Sequence, residues 1–239
     1  MKLLLILVVL ASNIVWGEWI EPPASSAKGY LVPTPDYVPV FPRDHGSHPE
    51  HGIEWWYWVG HLNAVDSEKK FGFQSTIFRL AGDPEKSGVT QSEPFGNQNL
   101  FLVHTALSDF EEEKYIHHER VIREGWQARS SEKTLSLTVG GVKVNLLEDE
   151  DGHKVVTRYP DGAKLELTFK PTKPLVSFGD RGLSRKGADP ASVSWYWSYT
   201  RLQAKGTLFQ NGEEIAVEGI AWMDHEISSS QLGEDLAGW

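Results

Sequence analysis

Four clusters of aromatic and ionisable residues carry the groups in this chain that could do chemistry. The last cluster spans residues 219–226 and places Trp222 and Asp224 on one face of a predicted strand. A carboxyl group pressed against indole rings loses hydration, which raises its pKa and lets it donate a proton near neutral pH. We therefore predict that Asp224 is a general acid. The structural alternative is that Asp224 or Glu226 pairs with Arg201 and closes a barrel end.

A second cluster, residues 195–201, alternates aromatic side chains with small or polar ones. On a strand, one face of this cluster carries Trp195, Trp197, Tyr199 and Arg201. Such a row can stack on an unsaturated ligand or hold a cation against an indole ring, although ordinary strand packing is the alternative. The Asn-Gly pair at residues 211–212 predicts a hairpin that brings the Trp222 cluster beside this row.

The longest cluster covers residues 48–62 and contains three tryptophans and two glutamates, of which Glu54 directly precedes the indoles. Alternation puts Glu54 and Trp56 on one face of a strand, with Trp55 and His61 on the other. Both faces are aromatic, so we expect one of them to line a barrel interior. Core packing is the alternative for each indole.

Glu54 is costly to bury unless it is paired, and the candidate partners are His61, Arg79 and Arg201. The remaining cluster, residues 103–109, contains His104 between apolar neighbours, which is typical of a core histidine or of a ligand contact. The candidate substrate-binding residues are therefore Glu54, Trp55, Trp56, His61, His104, Tyr199 and Arg201.

Metal and cofactor chemistry finds little support in the sequence. The ionisable run is Asp44, His45, His48 and His51. It lies in a proline- and glycine-rich stretch without a helical face or an evident fourth ligand. Nucleophile-elbow, P-loop and Rossmann motifs are absent from the sequence. We predict no metal site and no cofactor.

Composition narrows the function classes further. The 239 residues include 23 Lys and Arg against 33 Asp and Glu, a net charge of −10, which argues against nucleic-acid binding. The sequence has no cysteine, which excludes disulfides, thiolate zinc sites and a cysteine nucleophile. Ten tryptophans are an unusually high number for this length and favour an aromatic-lined binding surface.

Most of the sequence is predicted to form β-strands, and these strands must position the four clusters. Alternation and β-branched or aromatic content predict strands at residues 53–63, 70–80, 99–108, 134–147, 154–159, 163–170, 192–207 and 214–224. Hairpin dipeptides occur at residues 140–141, 151–152, 161–162 and 211–212, and residues 82–98 and 179–190 are predicted loops. These features predict an all-β protein, an antiparallel meander closed or nearly closed into a barrel.

Four segments make up the predicted domain organisation. Residues 1–17 have a positive Lys2, an apolar run and small residues, which predicts a signal peptide and export to the periplasm or medium. An uncleaved anchor is the alternative. Residues 18–45 form a proline-rich extended leader, residues 46–230 a β domain, and residues 231–239 the start of a truncated second domain.

In this order, the four clusters resemble the family that groups carotenoid 1,2-hydratases (hydroxyneurosporene synthase, CrtC) with AttH-like secreted proteins. The motifs that carry the resemblance are His48-Pro49, Glu54-Trp55-Trp56-Tyr57, Gly60-His61-Leu62, His104, Asp109, Tyr199, Arg201 and Trp222-Met223-Asp224-His225-Glu226. The resemblance runs from about residue 41 to the C-terminus. It implies two tandem lipocalin-like barrels, with this chain holding the first and the second barrel as its partner.

In the hydratases, catalysis is attributed to an H-x-W pair and, one hairpin later, to Y-x-D. Trp197 and Asp224 match this pattern, whereas Trp195 and Trp222 stand at the histidine and tyrosine positions. The motif set is closer to the AttH-like branch, which is often described as secreted hydrolases.

Two functional hypotheses follow. The first is an enzyme in which Asp224 protonates a C=C bond of an isoprenoid-like substrate. The indoles of Trp195, Trp197 and Trp222 would shield the carbocation before water adds. The second is a non-catalytic, lipocalin-like carrier of a lipid or small apolar molecule in the cell envelope.

Overall fold

The computed structural model describes residues 19–83, 99–148 and 152–230. The long strands are β1 (Ile53–Ala64), β2 (Lys70–Leu80), β3 (Leu100–Asp109), β4 (Lys114–Arg123), β12 (Val193–Gln210) and β13 (Glu213–Ser228). The shorter strands are β5 (Ala128–Ser130), β6 (Ser136–Val139), β7 (Val142–Leu146), β8 (His153–Arg158), β9 (Lys164–Pro171), β10 (Val176–Ser177) and β11 (Ser184–Arg185). A 3-10 turn at Arg43–His45 is the helical element among these residues. None of the described residues form a helix long and apolar enough to cross a membrane.

All strands belong to one antiparallel sheet with the order β4-β3-β2-β1-β13-β12-β9-β8-β7-β6-β5, and β10 and β11 also pair with β12. The sheet curls until its two ends approach each other. At the β6–β7 turn, Gly140 lies against the side chains of Val103 and Ile122 on β3 and β4. The result is the all-β, nearly closed antiparallel barrel that the sequence predicts.

Alternation along β1 separates an inner and an outer face as predicted. Glu54, Trp56 and Trp58 have no exposed surface and point into the barrel, whereas Trp55 is half-buried on the outside. Aliphatic and aromatic side chains from β1–β3, β6–β9, β12 and β13 fill most of the interior. Burial of each large apolar side chain contributes about 1.5–3 kcal/mol. The indoles of β1 therefore anchor the barrel.

Alternation fails at one place that matters for the site. A β-bulge between Tyr199 and Leu202 shifts the register of β12 against β13. Tyr199 keeps to the inner face with Trp195 and Trp197, but Arg201 is exposed. The prediction that Arg201 shares their face is wrong because an extra residue in a bulge breaks the two-residue period.

The sequence prediction missed β4 because Lys114–Arg123 is polar and lies on an exposed end of the sheet, without a buried apolar period. It also treated residues 134–147 as one strand, which the turn at Gly140 and Gly141 divides into β6 and β7. The predicted turns at 161–162 and 211–212 form with positive φ at Gly162, Asn211 and Gly212. The predicted signal peptide, most of the 82–98 loop, Asp151 and the 231–239 tail lie outside the described residues.

Gly219 on β13 allows the close approach of β1 at its cross-strand partner Leu62. A Cβ atom at position 219 would overlap the carbonyl oxygen of His61, whereas one at Gly72 on β2 would make ordinary contacts at 3.7 Å.

We expect Gly219→Ala to lower the free energy of unfolding by at least about 1–3 kcal/mol, since strand backbones must move apart. Gly72→Ala should be neutral or slightly stabilising, because alanine loses less backbone entropy than glycine on folding. Urea unfolding of both variants measures the difference. Equal effects would show that the β1–β13 spacing is not under this steric constraint.

Candidate functional site

The barrel buries a carboxylate, Glu54, at the end where residues 37–51 cross it. Glu54 Oε1 lies 2.8 Å from His48 Nδ1 and 2.8 Å from His225 Nε2. Its Oε2 accepts hydrogen bonds from Arg79 Nε at 3.1 Å and from the His48 backbone N–H at 2.9 Å. A buried charge is tolerated only with such complete pairing. Of the three partners that the sequence suggests, Arg79 is confirmed, and His61 and Arg201 are wrong because both are exposed.

The hydrogen bonds continue into the segment before β1. His48 Nε2 lies 3.2 Å from Asp44 Oδ1, and Asp44 Oδ2 accepts a hydrogen bond from the Tyr37 hydroxyl at 2.7 Å. Arg79 Nη2 also donates to the backbone carbonyls of His48 and His51. We call Asp44, His48, Glu54, Arg79 and His225 the Glu54 cluster, and it ties the leader segment to the barrel end.

The charge states in this cluster follow from its contacts. Burial alone would raise the pKa of Glu54, but hydrogen bonds from His225 and His48 and the charge of Arg79 hold it well below the usual range. Burial alone would lower the pKa of His48. The hydrogen bond to Glu54 and the negative charge of Glu54 outweigh burial, so the pKa of His48 is raised. For His225, burial dominates and lowers the pKa. Glu54 is therefore ionised, and His225 is neutral with its proton on Nε2.

Aromatic rings enclose the cluster. Trp56 stacks on His225 with ring centroids 4.9 Å apart, and Trp197 stands perpendicular to His225 at 5.1 Å. Trp195 stacks on Tyr37 at 3.9 Å and donates its indole N–H to the Thr34 carbonyl at 2.8 Å. The aromatic wall predicted for Trp195 and Trp197 therefore exists, and it surrounds a histidine rather than Asp224.

A cavity of about 280 Å³ opens beside the cluster, on the other side of the 3-10 turn. Its lining residues are Phe41, His45, Leu146, Gly152, His153, Pro171, Lys173, Pro174, Leu175 and Tyr199. Phe41 stacks on His45 at 4.1 Å and meets Trp197 edge-on at 6.2 Å. The cavity and the Glu54 cluster are therefore separated by a single layer of rings.

Burial keeps three polar groups of the cavity wall uncharged: His45, His153 and Tyr199. Burial lowers the pKa of both His45 and His153 to about 3. His45 Nε2 lies 3.4 Å from the hydroxyl of Tyr199, whose pKa burial raises. His153 Nε2 accepts a hydrogen bond from Trp58 Nε1 at 2.7 Å. At neutral pH the cavity thus combines an uncharged imidazole with a protonated phenol.

The structure separates the predicted catalytic residues onto two faces of the sheet. Trp195 and Trp197 point inward, and Trp222 and Asp224 lie half-buried on the outer face. Asp224 pairs across the strands with Ser198 and Tyr57, and its carboxylate accepts hydrogen bonds from Ser198 and from the Trp222 indole. The prediction that Asp224 faces the inner indole row is wrong. Its predicted sharing of a face with Trp222 is confirmed.

The predicted substrate-binding residues divide in the same way. Glu54, Trp56 and Tyr199 point into the barrel, and Tyr199 lines the cavity. The other four are on the outer face: Trp55, His61, His104 and Arg201. His104 is not a core histidine, because its side chain is 32% exposed and lies 3.8 Å from Glu119.

Sequence reasoning missed His225, His153 and the role of Asp44, His45 and His48 around the site. The sequence contains signals for some of these residues. His225 follows Asp224, so alternation places it on the face opposite to Asp224, and Asp44, His45 and His48 belong to the ionisable run of residues 44–51. The pairing of these residues is long-range in sequence, which periodicity does not report.

One group of described residues could hold a metal ion: His48, Glu54 and His225, whose ligand atoms lie within 4.8 Å of one another. Of the ionisable run at residues 44–51, only His48 belongs to this group. The two 2.8 Å contacts to Glu54 Oε1 are ordinary hydrogen-bond lengths, and Arg79 occupies the other carboxylate oxygen. The geometry fits a hydrogen-bonded ionic cluster better than an ion site.

Fold and site together define a lipocalin-like β-barrel with a small, partly open cavity. A family model described as AttH-like matches residues 32–239, so the chain belongs to the AttH-like family. The crystal structure of a Nitrosomonas europaea protein described as an AttH is similar at 31% identity and a TM-score of 0.74. The match covers 87% of this chain and 61% of that one.

Kievitone hydratase from Nectria haematococca is similar in fold, with a TM-score of 0.60 and 12% identity. That match covers 89% of this chain and 57% of the hydratase, so the chain spans less than two thirds of the length of either structure. A comparison with curated protein sequences gave no match.

Removing the charge of Glu54 should destabilise the barrel. We expect Glu54→Gln to lower the free energy of unfolding by about 3–5 kcal/mol. Glutamine is neutral, so Arg79 and His48 would be left buried without the negative charge of Glu54. The control is Glu166→Gln, whose carboxylate lies at the surface between Lys154 and Lys164 and should contribute no more than about 1 kcal/mol. Chemical denaturation at pH 7 compares them, and similar losses would contradict the buried ionic cluster.

The neutral histidines predict acid sensitivity. Because the pKa of His153 is about 3 in the folded barrel and 6.5 ordinarily, the unfolded chain binds a proton first as the pH falls. The contribution of neutral His153 to the free energy of unfolding is therefore complete above pH 6.5. It is lost as the pH falls toward 3, by up to about 1.4 kcal/mol per pH unit.

Unfolding free energies measured from pH 7 to pH 4 should fall less steeply for His153→Gln, whose amide oxygen still accepts the Trp58 N–H. The exposed His61 provides the control variant, His61→Gln, which should keep the native slope. An unchanged slope in His153→Gln would rule out this origin of acid sensitivity.

Proposed function

We propose that the barrel binds a small, mostly apolar molecule in the cavity beside His45 and Tyr199, and adds water to it or removes water from it. The observation that carries this proposal is the cavity of about 280 Å³, whose apolar wall includes an adjacent imidazole and phenol. An apolar cavity of ~150 Å³ accommodates benzene, so this one suits a ligand of roughly ten carbon atoms.

The pair of Tyr199 and His45 supplies both partners of a hydration. One group must deliver a proton to the substrate, and another must accept a proton from the attacking water. The phenol of Tyr199 retains its proton, since burial raises its pKa. His45 is unprotonated because burial lowers its pKa to about 3, which leaves a nitrogen that can accept a proton but makes it a weak base. Lys173, an exposed residue of the cavity wall, would attract an oxygen at the polar end of the ligand.

These groups favour one kind of double bond. Protonating an isolated C=C bond requires a strong acid, and none of the described residues that line the cavity is a carboxylic acid. A C=C bond conjugated to a carbonyl accepts water first and needs only weak acid and base catalysis. We therefore favour an α,β-unsaturated carbonyl compound of isoprenoid size over an acyclic carotenoid, with Asp224 outside the reaction.

A non-catalytic carrier is the second candidate, and a specific observation favours it. The raised pKa of Tyr199 makes this phenol a weak proton donor near neutral pH. An apolar cavity with few polar groups is sufficient for a carrier. Turnover, rather than binding, separates the two functions.

The test uses citral, a ten-carbon α,β-unsaturated aldehyde, and geraniol, the corresponding alcohol, in ¹⁸O-labelled water. We expect both to quench tryptophan fluorescence, and citral to give a product with an ¹⁸O hydroxyl on its β-carbon, a position that spontaneous exchange of the aldehyde oxygen does not label. Tyr199→Phe should lower the rate at least ~100-fold while binding changes only a few-fold. The control is Tyr196→Phe, on the outer face of the same strand, which should leave both unchanged.

Binding without turnover would favour the carrier. Absence of binding to both molecules, or equal binding by a Leu175→Trp variant that fills the cavity, would overturn the cavity assignment.

Export and a second barrel also remain proposals for this chain. Export is supported by Lys2 and the apolar residues 3–10. N-terminal sequencing of the protein from its native cells tests it, since a mature chain starting at Met1 would contradict cleavage. A second lipocalin-like domain is supported by the family resemblance and by the greater length of the two similar structures.

A further inference from the structure

Two buried nitrogen atoms on facing strands have no hydrogen-bond partner within the described part of the chain: Trp197 Nε1 and His225 Nδ1. Trp197 is 1% exposed and His225 is fully buried. The two residues are direct cross-strand partners on β12 and β13, with perpendicular rings 5.1 Å apart. Buried polar atoms normally have partners because their desolvation is otherwise uncompensated.

The two nitrogen atoms are complementary in type. An indole nitrogen can only donate a hydrogen bond. His225 Nε2 lies 2.8 Å from Glu54, whose Oε1 can only accept because the carboxylate is ionised, so Nε2 holds the imidazole proton. In the neutral ring, Nδ1 is then a lone-pair acceptor. One donor and one acceptor, on rings whose centroids are 5.1 Å apart, thus have no partners among the described residues.

We propose that Trp197 and His225 together bind one hydroxyl group, that of a buried water molecule or of an alcohol ligand. A hydroxyl oxygen accepts the indole N–H while its hydrogen donates to His225 Nδ1. A carboxylate cannot donate to Nδ1, and an ammonium ion cannot accept from the indole. The pattern therefore selects a hydroxyl over either kind of ion.

The residues around this hydroxyl site orient His225 as a proton acceptor. Glu54 on the opposite nitrogen fixes the tautomer of His225, as a carboxylate does for a general-base histidine. Trp56 covers one face of the imidazole, and Phe41 connects Trp197 with the cavity wall. His225 is thus positioned to take a proton from the bound hydroxyl. The site does not depend on the proposed function, because a carrier would contain it as well.

A metal ion at His48, Glu54 and His225 is the competing arrangement. Such an ion would bind His225 Nε2 and leave the proton on Nδ1. Nδ1 would then be a second donor beside the indole N–H, and one hydroxyl hydrogen could not bond to it. Metal binding and the proposed site therefore make opposite demands on the His225 tautomer.

The first test is a crystal structure of the full chain, purified without alcohols, at a resolution that defines ordered water. We expect one water oxygen about 2.7–3.2 Å from both nitrogen atoms. A second crystal soaked in 2-methylpropan-1-ol distinguishes the two hydroxyl sources, since an alcohol site shows the hydroxyl replacing that water. No density near both nitrogen atoms in either crystal, or an anomalous metal signal at Glu54, would overturn the proposal.

The second test is ¹⁵N NMR of histidine-labelled protein in solution. We expect His225 to show a protonated Nε2 and a hydrogen-bonded, unprotonated Nδ1. Trp197→Phe removes the donor but keeps a ring, and should shift the Nδ1 resonance toward that of an imidazole nitrogen without a hydrogen bond. Trp195→Phe is the matched control, since its indole already donates to Thr34.

A protonated Nδ1 in the native protein would contradict the proposal. So would equal shifts in the two variants. The native spectrum decides the tautomer even if Trp197→Phe does not fold.

Discussion

The pairing of Glu54 constrains the barrel end more than any other interaction. A carboxylate with no exposed surface must have its charge and its lone pairs satisfied from several directions at once. Arg79 comes from β2, His225 from β13 and His48 from the segment before β1, so three separate parts of the chain meet at one side chain. Strand spacing and the path of residues 37–51 are thereby linked to a single ionic cluster.

The 3-10 turn extends this constraint to the cavity. Asp44 and His45 are consecutive and both buried, but they serve opposite sides. Asp44 contacts His48 in the Glu54 cluster, and His45 contacts Phe41 and Tyr199 in the cavity wall. A shift of the turn would therefore disturb both at once. The Glu54 cluster therefore positions His45, although the imidazole ring of His45 makes no hydrogen bond to that cluster.

The sequence predicts the fold class and much of the burial pattern, because side-chain direction on a strand has a fixed period of two. It correctly separates Glu54 and Trp56 from Trp55 and His61. It does not determine which face of β13 turns inward, since both carry aromatic or charged residues: Trp222, Asp224 and Glu226 against Met223, His225 and Ile227. It also cannot reveal the bulge that turns Arg201 outward, which depends on pairing with distant strands.

The inward position of His225 changes the chemistry that the barrel can support. Glu54 is the carboxylate in contact with His225, but it is a poor proton donor because its pKa is held low and both of its oxygens already accept hydrogen bonds. Its effect is to orient His225 and to keep a proton on one nitrogen only. An interior of oriented, neutral imidazoles and a phenol suits the transfer of a proton to or from oxygen. The interior retains the aromatic rings that could shield a carbocation, but Asp224, the acid that the sequence alone suggests would form it, lies on the outer face.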